Sequence, residues 1–576
     1  MKMRKNFATY FSVGLAIFAL PQMASAATFT VTNTNDSGTG SLRAAILAAN
    51  GTPGSDIVFN ISGSNPNPTW TIQPTSPLPA ITANQTVIDG SSQTTFGGDT
   101  NAFGPEVVIN GSLAGAGASG LRIGTNNSSI RALVINGFDQ AGVDINASYS
   151  PNALTPTNNR VEGCYLGTSP GGTMATPNSY GVRLYDVDNT TIGGGMTSTR
   201  NLISGNSQGG VKIEGGGSQN VVQGNYIGTD RTGTRQIGNH YWGIWLVNSG
   251  ANSASDVTTI GGTTATNRNL ISGNGFANIL VDNYRNVRVT YNNIGTDVTG
   301  NDDLLDSSEG PVAQQYGIYV NNPSPPASGD VFTIGGSNAT RNVIGNHSVA
   351  GICLDAASGL NIQSNYIGLG RSGGSNNIGN AIGVKVLNAS SGNTIGGSTD
   401  TGNIICNSTD AGVFVGGTTG TPQATIRFNS IYNNGGLGID LGGNGVTAND
   451  TKDPDGGPNS LQNFPVLTNV MTNGTVTSIT GTLNSTPGTT FTIDYYSSPT
   501  ADPSGYGEGR VHLLTDTFTL GSDGNILFQI GCPTPVAVGH YVTATITGPS
   551  GTSEFSNARV CVTGNFRAAA SSGNSG

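Results

Sequence analysis

Charge is scarce in this sequence: 10% of its 576 residues are Asp, Glu, Lys or Arg, and 23 Lys and Arg stand against 33 Asp and Glu, a net charge of -10. With no basic excess, the chain lacks the electrostatic footprint of a nucleic-acid binder, and that class of partner is set aside. The four histidines, at 240, 347, 512 and 540, form no spaced cluster, which removes a zinc-ligand pattern and a Ser-His-Asp triad. Cysteine is also rare, and five of them leave at least one unpaired. Cys532 and Cys561 share one C-terminal segment and are the pair that could form a disulfide; Cys353 and Cys406 lie in separate strands. Beyond residue 26 no apolar run approaches the about 20 residues of a spanning helix. No long stretch keeps a 3.6-residue period either, and 88 Gly argue against a helical bundle.

What is present begins with Lys2, Arg4 and Lys5, an apolar run from Phe11 to Leu20, and Met23-Ala24-Ser25-Ala26 ahead of Ala27. A basic start, a short apolar core and a small-residue cleavage site predict a secretory signal peptide over residues 1–26. The mature chain is then expected to be secreted, surface-exposed or periplasmic, with no transmembrane segment. Loss of the three basic residues takes its charge from -10 to -13.

Internal periodicity is the dominant signal. Cutting before each Gly-apolar-x-apolar strand gives starts at Gly120, Gly142, Gly181, Gly210, Gly243, Asn278, Gly317, Gly351, Gly383, Gly412 and Gly438, 22 to 39 residues apart. That spacing is too long for hairpins and suits one turn of a helix of strands. In Gly210-Val211-Lys212-Ile213 the two-residue period sends Val211 and Ile213 inward and Lys212 outward. The fold class predicted is all-β, a right-handed parallel β-helix (solenoid) over residues 120–442. Its strands, stacked about 4.8 Å apart, give a rod of roughly 48 Å for this segment. Each coil meets only its neighbours, so one core can run the whole length.

An apolar residue, two variable ones and an Asn recur in nearly every coil, ending at Asn206, Asn225, Asn274, Asn292, Asn346, Asn365, Asn407 and Asn429. One Asn per coil predicts an asparagine ladder of stacked amides. Cys164 takes that rung in its coil, as a packing residue. Coils alternate: after Cys164, Asn225, Asn292 and Asn365 comes a longer excursion such as Tyr226-Ile227-Gly228-Thr229-Asp230, expected to crowd one edge of the rod.

Residues 27–119 read as an N-terminal cap with the first coils, since an open solenoid end exposes strand edges. There Ser41 can N-cap a short helix whose apolar side is Leu42, Ala45 and Ile46. Residues 443–463 form an acidic junction, and 464–565 alternate as strands of a C-terminal, Ig-like β-sandwich domain of about 100 residues, in an accessory or spacing role. The tail 566–576, rich in Ala, Ser and Gly, reads as disordered.

The stretch Phe29 to Leu47, the Ile-Gly-Thr-Asp excursions, Thr191-Ile192-Gly193-Gly194 with its echoes at Thr259, Thr333 and Thr394, and Arg200-Asn201-Leu202-Ile203-Ser204-Gly205-Asn206 resemble bacterial right-handed β-helix repeat proteins of the pectin lyase-like superfamily. The resemblance covers nearly all of the mature chain. It implies the fold, and a range of activities that includes polysaccharide lyases and hydrolases, epimerases and adhesins. Neither the paired aspartates of the polygalacturonases nor a pectate-lyase motif is intact here.

The middle residue of each strand gives an outward column: Arg122, Asp144, Arg183, Lys212, Trp245, Leu280, Tyr319, Cys353, Lys385, Phe414 and Asp440. Its basic and aromatic members Arg183, Lys212, Trp245, Tyr319 and Lys385 are candidates to bind an anionic sugar polymer, rings on pyranose faces and cations on carboxylates. A lyase would need a base and a charge-stabilising cation, and Arg183, Lys212 and Asp144 are the candidates. Asp450, Asp453, Asp455 and Asn459, around Pro454 and Gly456-Gly457, could hold calcium, the one cofactor expected. The resulting expectation is a monomeric extracellular protein that engages a polysaccharide or cell-surface glycan. Its alternatives are a polysaccharide lyase on an acidic glycan and a structural surface protein or adhesin.

Overall fold

The computed structural model describes residues 26–564 except 64–67, 153, 248–256, 306–312, 322–328, 330 and 375. The expected signal peptide up to residue 25 and the tail 566–576 lie outside the described residues. No helix among the described residues is long and apolar enough to cross a membrane.

Three long parallel sheets, here A, B and C, contain 13, 12 and 11 strands. The chain visits them in rotation: Tyr180–Tyr185 in C, Thr191–Gly193 in A, Leu202–Ile203 in B, then Gly209–Glu214 back in C beside the first. This is a parallel β-helix, in the right-handed sense that strand–crossover–parallel strand units adopt. The eleven expected strand starts correspond one to one with the strands of sheet C, and the eleven outward residues pair in unbroken register from Arg122–Asp144 to Phe414–Asp440.

The interior is filled by the alternate residues, and Val211, Ile213, Ile244 and Leu246 are all essentially fully buried. The glycines at ten of the eleven strand starts of sheet C, all but Asn278, have no room for a side chain: a Cβ on Gly210 would lie 2.6 Å from the Gly243 carbonyl oxygen and 2.9 Å from Ile227.

The asparagines form two ladders, not one. At the corner between sheets A and B, each side-chain amide donates to the next Oδ1 at 2.9–3.1 Å along Asn201, Asn225, Asn269, Asn292, Asn342, Asn365, Asn403 and Asn429. Cys164 holds the rung before Asn201, whose Oδ1 accepts from its N–H at 2.9 Å. Burial pushes its thiol up to about 12, as suits a packing residue. At the corner between B and C a second ladder runs Asn178, Asn206, Asn239, Asn274, Asn278. It continues through Gln314, His347 and Asn380, is interrupted at Ser408, whose buried hydroxyl has no partner, and resumes at Asn434. Asn346 and Asn407 belong to neither ladder: both turn out at positive φ and bond single carbonyls, of Gly295 and Gly368, while His347 and Ser408 take the inward corner.

Long and short coils differ between these corners. Asn201 and Asn206 are five residues apart, whereas the coil of Asn225 reaches its second rung only at Asn239, with the excursion in between. The excursions stack on alternate coils, the N–H of Arg231, Val298 and Arg371 donating to Gly172, Gly233 and Gly300.

At the N-terminal end the helix Leu42–Ala49 starts at Ser41, whose hydroxyl accepts from the Ala44 N–H, and it buries Leu42, Ala45, Ile46 and Ala49 against the first coil. At the other end two sheets, of four and five strands, close over a second core that includes Leu467, Phe491, Tyr495, Phe528 and Ile546. This sandwich is no spacer. Tyr496 and Phe555 belong to the core of the rod itself, Arg427 is held bidentately by Asp494 at 2.6 and 2.9 Å, and Glu508 and Glu554 bond the last coils. It covers the C-terminal opening as the short helix covers the N-terminal one. The expected disulfide is absent: all five cysteines are buried free thiols, with Cys532 directed to the Thr534 carbonyl and Cys561 to that of Val536.

Candidate functional site: the outer face of sheet C

The candidate residues of the outward column stand on the strands that the alternation assigned them, and neighbouring charges then decide what they can do. Arg183 and Lys212, on consecutive rungs, both grip Glu214, which the sequence reading missed. Burial pushes the Glu214 carboxyl up, but hydrogen bonds from Lys212 and Arg183 outweigh it and hold it below the usual range. Asp144 is 1% exposed; burial raises its carboxyl against a 2.7 Å bond from the Tyr149 hydroxyl and the charge of Arg183. Both cations are thus engaged by a carboxylate, and Lys212 is ion-paired with Glu214. This withdraws the support for a lyase centre at Arg183, Lys212 and Asp144, and for carboxylate recognition by the first two.

The aromatic members carry more than the column alone suggested. Trp245 lies under the Lys212 ammonium, 4.5 Å from ring centre, and against Trp242 at 4.4 Å. Tyr241, 41% exposed, adjoins Trp242. Two coils further on, Tyr316 and Tyr319 meet at 4.9 Å, with Phe276 5.3 and 5.5 Å away. The Tyr319 hydroxyl donates to Asp355 at 2.6 Å, and burial with that carboxylate raises it strongly. Lys385, two rungs beyond Tyr319, carries no ion pair among the described residues and lies 5.5 Å from the Phe414 ring centre.

Tyr241, Trp242, Phe276 and Tyr316 were missed, although the sequence holds their signal. The residue just before each strand-start glycine forms a second register column, Tyr180, Gly209, Trp242, Ala277, Tyr316 and Ala350. Large rings alternate with small residues, so rings recur every second coil, roughly 10 Å apart. Beside this column an apolar recess of about 640 Å³ is lined by His240, Tyr241, Trp242, Phe276 and Leu280.

At the junction, carboxylate oxygens of Asp450, Asp453 and Asp455 lie within 4.8 Å of one another. One buried oxygen on Asp450 and one on Asp455 have no hydrogen-bond partner among the described residues. Burial raises Asp453 and Asp455, and the neighbouring carboxylates raise Asp455 further, the condition a divalent cation relieves. Asn459 is not among them: its buried amide bridges Ala424 and Thr552, tying rod to sandwich.

Asp230 and Asp297, at the excursion tips, turn back to bond Thr232 and Thr234 and, respectively, Thr299 and Gly300. They hold their own turns.

No family model matches the chain, and no curated protein matches it. Among solved structures it is similar to the A-module of a mannuronan C-5 epimerase from Azotobacter vinelandii, with 11% identity and a TM-score of 0.36 over 73% of this chain and 100% of that one. It is also similar to the enzymatically active domain of tailspike protein 2 of bacteriophage CBA120, with 14% identity and a TM-score of 0.27 over 91% of this chain and 68% of that one. At such identities and scores the likeness carries no residue of either protein's site over to this chain.

Proposed function

We propose that the protein is an exported glycan-binding β-helix whose principal site is the aromatic face of sheet C. The observation that carries this reading is the succession Trp242, Trp245, Phe276, Tyr316 and Tyr319 along one face of the rod, with rings repeating at the pitch of two coils. Rings spaced in this way offer stacking faces to successive sugars of a chain laid along the rod. Because Arg183 and Lys212 are both held by Glu214, recognition here rests on ring faces rather than on carboxylates.

Retention of purified mature protein on a panel of immobilised neutral and acidic glycans tests the proposal. Trp242→Ala and Tyr316→Ala should each weaken retention at least tenfold while leaving the melting temperature within a few degrees of wild type. Ultraviolet-absorbing unsaturated ends in the same incubations would instead favour the lyase. Retention on no glycan, with all variants folded, would leave a structural surface protein.

A further inference from the structure

Sheet B presents a different outer face. The motif Arg200-Asn201-Leu202-Ile203 recurs as Arg268-Asn269-Leu270-Ile271 and Arg341-Asn342-Val343-Ile344, always on a short coil. In each copy the Asn is locked into the inner ladder, so the preceding arginine stands at the outer corner. The arginine then lies over an aromatic ring of the next coil: Arg200 over Tyr226 at 4.3 Å, Arg268 over Tyr291 at 4.6 Å and Arg341 over Tyr366 at 3.8 Å. The long-coil excursions add Arg231, over Phe103 at 4.4 Å, and Arg371, 5.4 Å from Tyr291.

None of these five arginines is ion-paired among the described residues, in a chain with a net charge of -10. The nearby Asp230 and Asp297 are spent inside their own turns. Arg200 and Arg268 each keep a buried Nε without a partner. Burial, then the charge of Arg268, lowers Arg371 to about 10, so it stays protonated at neutral pH beside like charges. At the N-terminal end the row opens into a recess of about 780 Å³ lined by Arg200, Arg231, Tyr165 and Tyr226 together with Glu106 and Asp99. Arg231, Arg341 and Arg371 also donate to neutral oxygens, of Gly171, of Ser364 and Asn338, and of Asn292 and Asn293, so the guanidinium groups are fixed in place without a carboxylate, a cost to the fold that a bound anion would relieve.

We propose that the outer face of sheet B is a binding track for an acidic polysaccharide that carries a carboxylate or sulfate on alternate sugars. Short-coil arginines recur every second coil, roughly 10 Å apart, about the length of a disaccharide. A nucleic acid is disfavoured, because it places a charge about every 3.4 Å along a strand and because the tyrosine faces that would stack bases are already taken by guanidinium groups. This inference does not rest on the sheet C reading.

The test measures binding of the mature protein to hyaluronan and polygalacturonate, with dextran as the neutral control and a thymidine oligonucleotide as the phosphate polyanion. Wild type should bind at least one acidic glycan, with affinity falling steeply between low and physiological salt, and should bind the oligonucleotide more weakly. Arg268→Gln/Arg341→Gln should lose at least tenfold in affinity. Arg231→Gln, on an excursion and bonded only to the Gly171 carbonyl, should also weaken binding and keeps the test open if the first variant is poorly folded. The proposal is overturned if neither acidic glycan binds, if folded arginine variants bind as wild type does, or if binding is lost in Trp242→Ala instead. Tighter binding of the oligonucleotide than of either glycan would also overturn it.

Discussion

Asn434 donates both its backbone N–H, at 3.0 Å, and its side-chain amide, at 2.7 Å, to one carboxylate oxygen of Glu508, 74 residues further along the chain. The ladder at the corner between sheets B and C is thereby finished by an acid from the sandwich. Burial raises that acid to about 7, although the Asn434 bonds oppose the shift.

The sign of this shift sets a pH dependence. Glu508 costs nothing while protonated in both states, below about 4.5, and the native state loses stability as pH rises from there through about 7, by up to about 3 kcal/mol. Asp494 acts oppositely: burial raises it, but the bonds from Arg427 and others prevail and hold it at about 2, so its contribution is present above 3.8 and lost as pH falls through about 2. The melting temperature should therefore be highest near pH 4 and decline toward pH 7.5. In Glu508→Gln the decline should be shallower; parallel profiles for wild type and variant would reject the assignment.

The two ladders separate asparagines that look alike in sequence. Asn225→Leu removes an amide whose neighbours have no access to water and should cost about 1–3 kcal/mol. Asn346→Gly keeps a residue suited to positive φ, gives up one carbonyl bond, and should cost under about 1 kcal/mol. Urea denaturation of both variants decides this, and equal losses would argue against the division.

Much of the architecture was legible because it is written with period two. Val211, Lys212 and Ile213 announce their faces, and the column from Arg122 to Asp440 emerged in register without error. The ladders were harder, since pattern matching on apolar-x-x-Asn mixes two corners: Asn225 follows a strand of sheet A, whereas Asn206 follows one of sheet B. The rungs Asn201, Asn269, Asn342 and Asn403 passed unnoticed for the same reason. At the site, Trp245 and Tyr319 were legible, but the ion pairing of Lys212 was not. Glu214 sits two residues from Lys212, on the same side of the strand, and its second partner is 31 residues away in Arg183.

Glu214 also supplies a prediction. Replacing it with Gln leaves Arg183 and Lys212, 25% and 15% exposed, facing one another on adjacent rungs. Stability should fall by about 1–3 kcal/mol, and weak, salt-sensitive binding of acidic glycans should appear on sheet C. A variant as stable as wild type would mean that the trio is solvated and carries no energy.

For the aspartates at the junction, the expectation is a calcium-dependent melting temperature, because a cation bound only by the native state stabilises it by mass action. Chelator should lower the midpoint of wild type and leave Asp450→Asn/Asp455→Asn unchanged. These two are the informative positions, since Asp453 also accepts from Gln462, Ser485 and Asn463 and its loss would loosen the junction with or without metal. Identical melting of wild type with calcium and with chelator would exclude the site.

The alternation of short and long coils limits how the rod can vary in length. A single inserted coil would set two excursions, or two short corners, side by side, breaking the run of bonds from Arg231, Val298 and Arg371 and placing ring against ring where Trp242, Ala277 and Tyr316 now interleave. Two coils together restore every contact, including the spacing of the arginines on sheet B. The heritable unit of this fold is therefore the pair, and viable lengthening or shortening should come in even numbers of turns.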